Sequence, residues 1–464
     1  MNAFNIEETK KSALIVTTAS SFLTPLALAT VPVALPTIGK AFNVDVMVLS
    51  WIATSYILSA AVFLVPFGKI ADMYGRKRIF LIGMIIFTLA SFILGVSNST
   101  TMLIVLRVFQ GTGGAMIFGT AIAILSSVFP PGERGRVLGI NVAGVYLGLS
   151  IGPFLGGVLT QHIGWRSIFL FNCPLGVFVI LLTIIKLRGE WADAKKDRFD
   201  FIGSFFYSIM LLCLMYGFSK LQMQTGKILI LAGIAGMGVF VLWERRARNP
   251  IIDMQLFLSN KVFTMSNIAA LLNYSATFAI GFLLSFYLQH IKNFSPQTTG
   301  VVLVAQPIMQ AILSPLAGKV SDRIEPRIVA SSGMAVTALG LFLLSFINGS
   351  THIIYIVVSL IILGSGFALF ASPNTNAIMS SVENRYYGIA SSMLATMRLL
   401  GQLFSMGIAM LIFALYMGHV EISPQYHFQL LSGIKTAFVV FGLLCVCGIF
   451  ISLTRGNLRD NKNH

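Results

Sequence analysis

Apolar stretches of about 17 to 25 residues, long enough to cross the hydrocarbon core of a bilayer, recur about fourteen times along this chain, the first at 13–37 and the last at 433–453. In lipid a backbone amide or carbonyl finds no water, and a run of this length satisfies its own polar groups only as a helix. The chain is therefore expected to be an all-α polytopic membrane protein. Hydrophobic residues make up 56% of its 464 positions and charged residues 10%, against about 25% charged in soluble domains. No polar stretch is long enough for a separate catalytic module. The first run follows Lys10 and Lys11 and contains Ala27-Leu28-Ala29, a small-residue pattern like a signal-peptide cleavage site. Because the run stays apolar beyond it, a retained first helix is the expectation.

The net charge of +16 sits in short clusters between apolar runs. It forms no stripe interleaved with aromatics, so nucleic acid is not an expected partner. Of the 32 Lys and Arg residues, 24 fall in the set of connections that includes both termini, and six (Lys40, Arg166, Lys220, Lys227, Lys292 and Lys435) fall in the opposite set. The positive-inside rule then predicts a multi-pass protein of the cell membrane with both termini cytoplasmic. The weakest spans, 201–218 and 228–243, cross as a pair or not at all, since one alone would move every later loop to the wrong side, and the pair is the expectation. Arg107 and Arg398 are the remaining two cations, inside spans; all 16 acids lie in loops, termini or span edges such as Asp45 and Glu244. Cys173, Cys213, Cys445 and Cys447 lie in apolar runs and read as free packed thiols. No His or Cys spacing suits a metal, and neither metal nor cofactor is expected.

Gly68-Lys69-Ile70-Ala71-Asp72 recurs as Gly318-Lys319-Val320-Ser321-Asp322, 250 residues on. Repeated halves around a central site are a common architecture of alternating-access transporters. The expected division is an N-terminal six-helix bundle (1–187), cytoplasmic linkers with two inserted helices (188–260), and a C-terminal six-helix bundle (261–464).

Five groups of residues carry the candidate chemistry. Gly68 and Gly75 allow a sharp turn. Asp72 can accept from amides opening the next helix, with Arg76 as a cationic partner; with Gly318, Asp322 and Arg323 of the second copy this is a candidate conformational latch. Arg107, Gln110, Gly111 and Gly114 share one helix face, and a mid-membrane arginine, costing about 2.5 to 3.5 kcal/mol, is expected to face a cavity or a partner. Gly144, Gly148, Gly152 and Gly156, with Pro153 and Gly157, form a strip on which another helix can approach closely, either as static packing or as a sliding face. Arg398, Gly401, Gln402 and Ser405 repeat the spacing of the Arg107 face. Tyr56, Asn141, Asn172, Asn273, Gln306, Gln310, Asn374 and Asn376 complete a pool of polar residues at membrane depth, each either an interhelical hydrogen bond or a substrate contact.

Several of these segments resemble those of the major facilitator superfamily. Residues 68–78 are similar to its signature between helices 2 and 3, and Arg107-Val108-Phe109-Gln110-Gly111-Thr112-Gly113 to its helix 4 motif. Gly148 through Gly157 is similar to the helix 5 motif associated with antiporters, and Trp165 through Gly176 to the fourteen-helix drug:proton branch. The resemblance implies two six-helix bundles plus a two-helix insertion, and export of amphipathic drugs or small organic molecules by alternating access in exchange for a proton or other ion. A monomer in the lipid bilayer is the expected working unit. Met73 replaces a usual basic residue, Glu325 replaces the glycine of the second copy, and Ala27 stands where the branch usually has a carboxylate. With only cations at membrane depth, a cavity lined by Arg107 and Arg398 is expected to favour neutral, zwitterionic or anionic substrates over dications. Asp72, Asp322 or the substrate itself then carries the proton. Two alternatives remain: a facilitator or importer of a metabolite, and a membrane-embedded enzyme or scaffold, the latter disfavoured by the lack of an intramembrane acid/base pair or a phosphate-binding loop.

Overall fold

The structure is a computed structural model; it describes residues 3–187, 189–192, 199–221, 223–247, 250–251, 257, 259–382, 387–418, 420 and 422–456, excepting the side chains of 3–6, 131, 132, 134–136, 322, 387 and 388. Among these residues there is no strand, and 14 helices are long and apolar enough to cross a membrane. They are α1 (Glu7–Ala29), α2 (Val46–Tyr74), α3 (Arg76–Gly95), α4 (Thr100–Val128), α5 (Val137–His162), α6 (Ser167–Ile185) and α7 (Phe201–Ser219). The series continues with α8 (Gln224–Glu244), α9 (Lys261–Ile291), α10 (Pro296–Ser321), α11 (Pro326–Ser345), α12 (Ile353–Ser380), α13 (Ile389–Tyr416) and α14 (Pro424–Thr454). Short polar residues start several of them by taking an orphan amide: Asp45 accepts from Val48 N at 2.8 Å, Asn260 from Phe263 N at 2.9 Å and Ser295 from Thr298 N at 3.1 Å.

The repeat seen in sequence is also a repeat of packing. In the first bundle α4 lies between α2 and α3 while α1 lies along α5; in the second α12 lies between α10 and α11 while α9 lies along α13. The bundles meet along two seams, α2 with α13 and α5 with α10. Inserted helix α7 rests on both sides of the first seam. Tyr207 Oη donates to the Ala61 carbonyl of α2 at 3.0 Å, and Phe218 fills the space over Gly407 of α13. Helix α8 packs on α7 and turns most of its surface outward, which in a bilayer means to lipid.

Four spans read as continuous from hydropathy are broken: α6 near its start, at Phe171, and three others that border the space between the bundles. Helix α1 stops at Ala29 and resumes after Thr30 as Val31–Phe42. Helix α9 is interrupted at Phe278 and Ala279 and ends in a π-helical turn, Tyr287–Ile291. Helix α10 is interrupted at Val304. Irregular backbone is tolerated in a membrane only where protein or a water-lined cavity satisfies it, and at the α9 break Ser405 Oγ accepts from Ala279 N at 2.9 Å.

Candidate substrate cavity

A cavity with about 920 Å³ of empty space, the solvent at its mouth included, lies between the bundles, against the breaks in α1, α9 and α10. From the first bundle it takes Leu28, Ala29, Pro32 and Val33 around the α1 break, with Tyr146, Leu149 and Pro153 of α5. From the second it takes Tyr274, Thr277 and Phe278 of α9, Gln306 and Gln310 of α10, Phe367 of α12, and Arg398 and Gln402 of α13. The two walls differ in chemistry. Tyr146 is the first wall's one hydrogen-bonding side chain, whereas the second carries three aromatic rings, a hydroxyl on each of Tyr274 and Thr277, three amides and a guanidinium. Gln310 and Gln402 are 6% and 5% exposed, and Gln310 Nε2 and Gln402 Oε1 are buried with no partner among the described residues. The Arg398 guanidinium stands 5.5 Å from the Tyr274 ring centre, and Tyr274 meets Phe367 edge to face at 5.5 Å.

Backbone adds polarity to both walls. Pro32, Pro153 and Pro307 have no amide hydrogen, so the carbonyls of Leu28, Leu149 and Leu303 lose their helical donor four residues on. All three leucines line the cavity.

Beyond the cavity the bundles close at one end, the lysine-poor one. Gln289 Nε2 donates to the Val33 carbonyl at 2.8 Å, His162 Nε2 lies 3.0 Å from Gln297 Oε1, and Thr54 Oγ1 donates to Met410 Sδ at 3.4 Å. The Ser150 hydroxyl reaches the Pro307 carbonyl at 3.3 Å. These four contacts tie the two bundles together on that side.

The polar residues singled out from sequence separate into distinct places. Gln306, Arg398 and Gln402 line the cavity. Arg107 does not: fully buried inside the first bundle, it donates through Nε to the Ile52 carbonyl at 3.2 Å and through Nη1 to Gln110 Oε1 at 2.7 Å, and lies 4.4 Å from the Tyr56 ring centre. Gln110 passes the chain on to Ser91 at 2.8 Å. Gly111 and Gly114 leave room for Tyr56, whose carbonyl and hydroxyl occupy the space a Cβ would need. The expectation that Arg107 lines the cavity is corrected for that reason: its face is taken by α2 and α3. Asn141 bonds Ser21 at 2.9 Å, Asn172 bonds the Ile168 carbonyl at 3.1 Å, and Asn273 is fully buried with neither amide atom partnered among the described residues. Asn374 belongs to a cluster at the basic end, where Arg455 Nη1 donates to Asn374 Oδ1 at 2.9 Å and to Ser266 Oγ at 3.2 Å. Burial pulls the Arg455 guanidinium down to about 10, opposed by Glu325.

The glycine strip of α5 also divides. A Cβ on Gly144, Gly148, Gly152 or Gly156 would meet Thr18, Phe22, Ala29 or Thr30 of the α1 segment, so this face belongs to packing inside the first bundle. Gly157 and Pro153 face the start of α10, against Pro296 and Gly300, across the seam between bundles.

The 68–78 segment differs in form from the expected loop. Gly68 is still helical, since α2 runs to Tyr74, and only Gly75, with φ +120°, makes the turn. Asp72 accepts from the Arg76 side chain (Nε at 2.8 Å), not from α3 amides, and Arg76 Nη1 donates on to Ser127. The α3 amides are taken from further along the chain: Glu190 Oε1 accepts from Lys77 N at 2.8 Å and the Trp191 carbonyl from Arg76 N at 2.9 Å. In the second copy Pro326 stands in place of Arg76 and Glu325, at φ −54°, replaces the glycine without strain. Gly318 accepts from Ser321 Oγ at 2.7 Å, and Arg323 is exposed. The Asp322 side chain lies outside the described residues.

Comparison with known proteins agrees with this architecture. The profile of the Major Facilitator Superfamily matches residues 17–259 and 267–463. The riboflavin transporter RibZ of Clostridioides difficile is 31% identical, over 85% of this chain and 86% of its own length. The multidrug resistance protein Stp of Mycobacterium tuberculosis is 33% identical, over 85% and 74%. The tetracenomycin C resistance and export protein of Streptomyces glaucescens is 29% identical, over 78% and 68%. Among solved structures, a bacterial homolog of the human lysosomal transporter Spinster superposes with a TM-score of 0.70 over 98% of both chains at 15% identity. With nearly the whole chain matched by one family profile and by transporters of that family, this protein is a membrane transporter and not an enzyme, and it belongs to the Major Facilitator Superfamily.

Proposed function

We propose that the chain is an exporter of amphipathic small molecules, neutral or anionic in preference to dicationic, working by alternating access in exchange for protons. The observation that carries the reading is a cavity between the bundles, bridged by hydrogen bonds toward the lysine-poor end, with Arg398 in its wall and no acid among its lining residues. A half-buried guanidinium without a carboxylate beside it repels cations and attracts electron-rich groups. With the basic end in the cytoplasm, as the lysine and arginine asymmetry favours, the open side faces inward and the described state is the one that loads cytoplasmic substrate. Relatives named for drug resistance and export support that direction. The 75–78 turn, clasped by Asp72, Arg76 and Ser127, acts in this reading as the latch of the first bundle. One chain holds both bundles and the whole cavity, so a monomer is sufficient.

A second reading, uptake or facilitated passage of a metabolite, is favoured by the relative named as a riboflavin transporter. Everted membrane vesicles separate the two. An exporter accumulates a neutral or anionic amphiphile when the lumen is made acidic, and a protonophore abolishes the accumulation. Uptake by right-side-out vesicles only, or accumulation indifferent to the pH gradient, sinks the antiport reading.

A further inference from the structure

The two walls of the cavity are unequal, and from that inequality we infer that the side chains of the second bundle do most of the reading of the substrate's polar groups, the substrate being a planar aromatic molecule, neutral or anionic, carried on that bundle while the first slides past. The inference rests on the transport reading for the word carried; its binding part stands independently.

Consider what each wall can do to a flat ring. Tyr274, Phe278 and Phe367 present aromatic surface from α9 and α12, and the Arg398 guanidinium lies beside the Tyr274 ring at 5.5 Å. Stacked aromatic and guanidinium planes favour an electron-rich ring over an aliphatic chain. Around them stand Gln306, Gln310 and Gln402, and the last two are at least nine-tenths buried with an amide atom lacking any partner among the described residues. A buried unpaired amide is costly. A ligand whose edge offers both a donor and an acceptor, as an imide or lactam does, removes that cost when the amides rotate toward it.

Across the cavity, Leu28, Ala29, Pro32, Val33 and Leu149 offer aliphatic surface, with Tyr146 as the one hydrogen-bonding side chain. Apolar contact is non-directional, so such a wall can shift against a ring without breaking an oriented bond. The Gln and Arg side chains cannot do so without losing theirs. The directional contacts therefore travel with α9, α10 and α13, and the aliphatic wall makes and breaks cover.

The test is equilibrium binding to purified protein in nanodiscs, read by fluorescence, with three probes: riboflavin (neutral, planar, with an imide edge), its 5′-phosphate (anionic, same ring) and propidium (planar, dicationic). The expected order is riboflavin and its phosphate bound at least tenfold more tightly than propidium. R398A, Q310A and Q402A each weaken riboflavin binding at least fivefold, and Arg398→Lys restores part of the loss. L28A and Tyr146→Phe leave affinity within threefold but change the rate of vesicle transport. Size-exclusion profiles matching the wild type certify each variant, and Gln402→Glu, which keeps the shape, replaces Q402A if that one is misfolded; its loss is expected for the phosphate before riboflavin. Propidium binding as tightly as riboflavin, no binding of riboflavin, or equal loss of affinity from both walls overturns the inference. Failure of pH-driven transport with the binding pattern intact removes the antiport reading and leaves the assignment of the recognising wall standing.

Discussion

Arg107 and Arg398 begin from the same sequence pattern, an arginine with polar or small residues three, four and seven positions later, and end in opposite circumstances. The Arg107 guanidinium is held inside its own bundle by a carbonyl, an amide and a ring. Arg398 stands in the cavity wall with the Tyr274 ring as its described partner. The difference comes from the neighbours. Gly111 and Gly114 let α2 approach α4 so closely that Tyr56 covers Arg107, whereas beside Arg398 the α9 helix is broken and the next bundle stands back. One arginine therefore secures structure, and the other is available to a ligand.

The largest expected effect breaks the comparison from the side of Arg107. Arg107→Ala leaves the Ile52 carbonyl and Gln110 without their donor, a loss of about 3 kcal/mol, and the protein should lose its monodisperse peak after mild heating; Arg398→Ala should survive the same treatment unchanged. Next comes Gly148→Val, whose side chain would collide with the Phe22 carbonyl. Overpacking of about 1 to 3 kcal/mol at a helix contact should cut transport at least about tenfold while membrane insertion, measured by fractionation, stays normal; unimpaired transport would show that α1 and α5 have slack. A smaller effect sharpens the role of the linker after α6. Glu190→Ala removes the acceptor for Lys77 N and should cost about 1 kcal/mol, visible as a modest fall in thermal midpoint, whereas Glu190→Gln, which keeps an acceptor oxygen, should lose less. A substitution of Gln306, which lines the same wall as Arg398, should move the apparent KM with little change in stability.

Hydropathy and charge alone were enough for the fourteen spans, the paired insertion and the repeated halves, because length and apolarity are what a bilayer selects. The glycine strip and the two membrane-depth arginines were visible for the same reason: nothing else in lipid tolerates them without a purpose. The cavity's aromatic residues were not. Tyr146, Tyr274, Phe278 and Phe367 look like every other aromatic in a greasy helix until a neighbour withdraws. The breaks in α1, α9 and α10 escaped because hydropathy ignores backbone continuity; Pro32 and Pro307 were the available signal for two of them, and α9 had none beyond Gly281. Helix periodicity put Arg107 on a polar, closely packed face but could not say which helix would meet it. Glu190 lies 113 positions from Lys77, a contact that no local pattern encodes.

The prolines of the cavity wall have a genetic consequence. Each of Pro32, Pro153 and Pro307 exposes an acceptor that belongs to a leucine one turn earlier, so the hydrogen-bonding character of Leu28, Leu149 and Leu303 is written at codons that do not encode them. A scan for altered substrate profiles that varies only the leucines would leave those oxygens in place. Selection at the prolines could restore the helical bond and erase the acceptor, changing what the transporter tolerates without altering any leucine side chain in the wall.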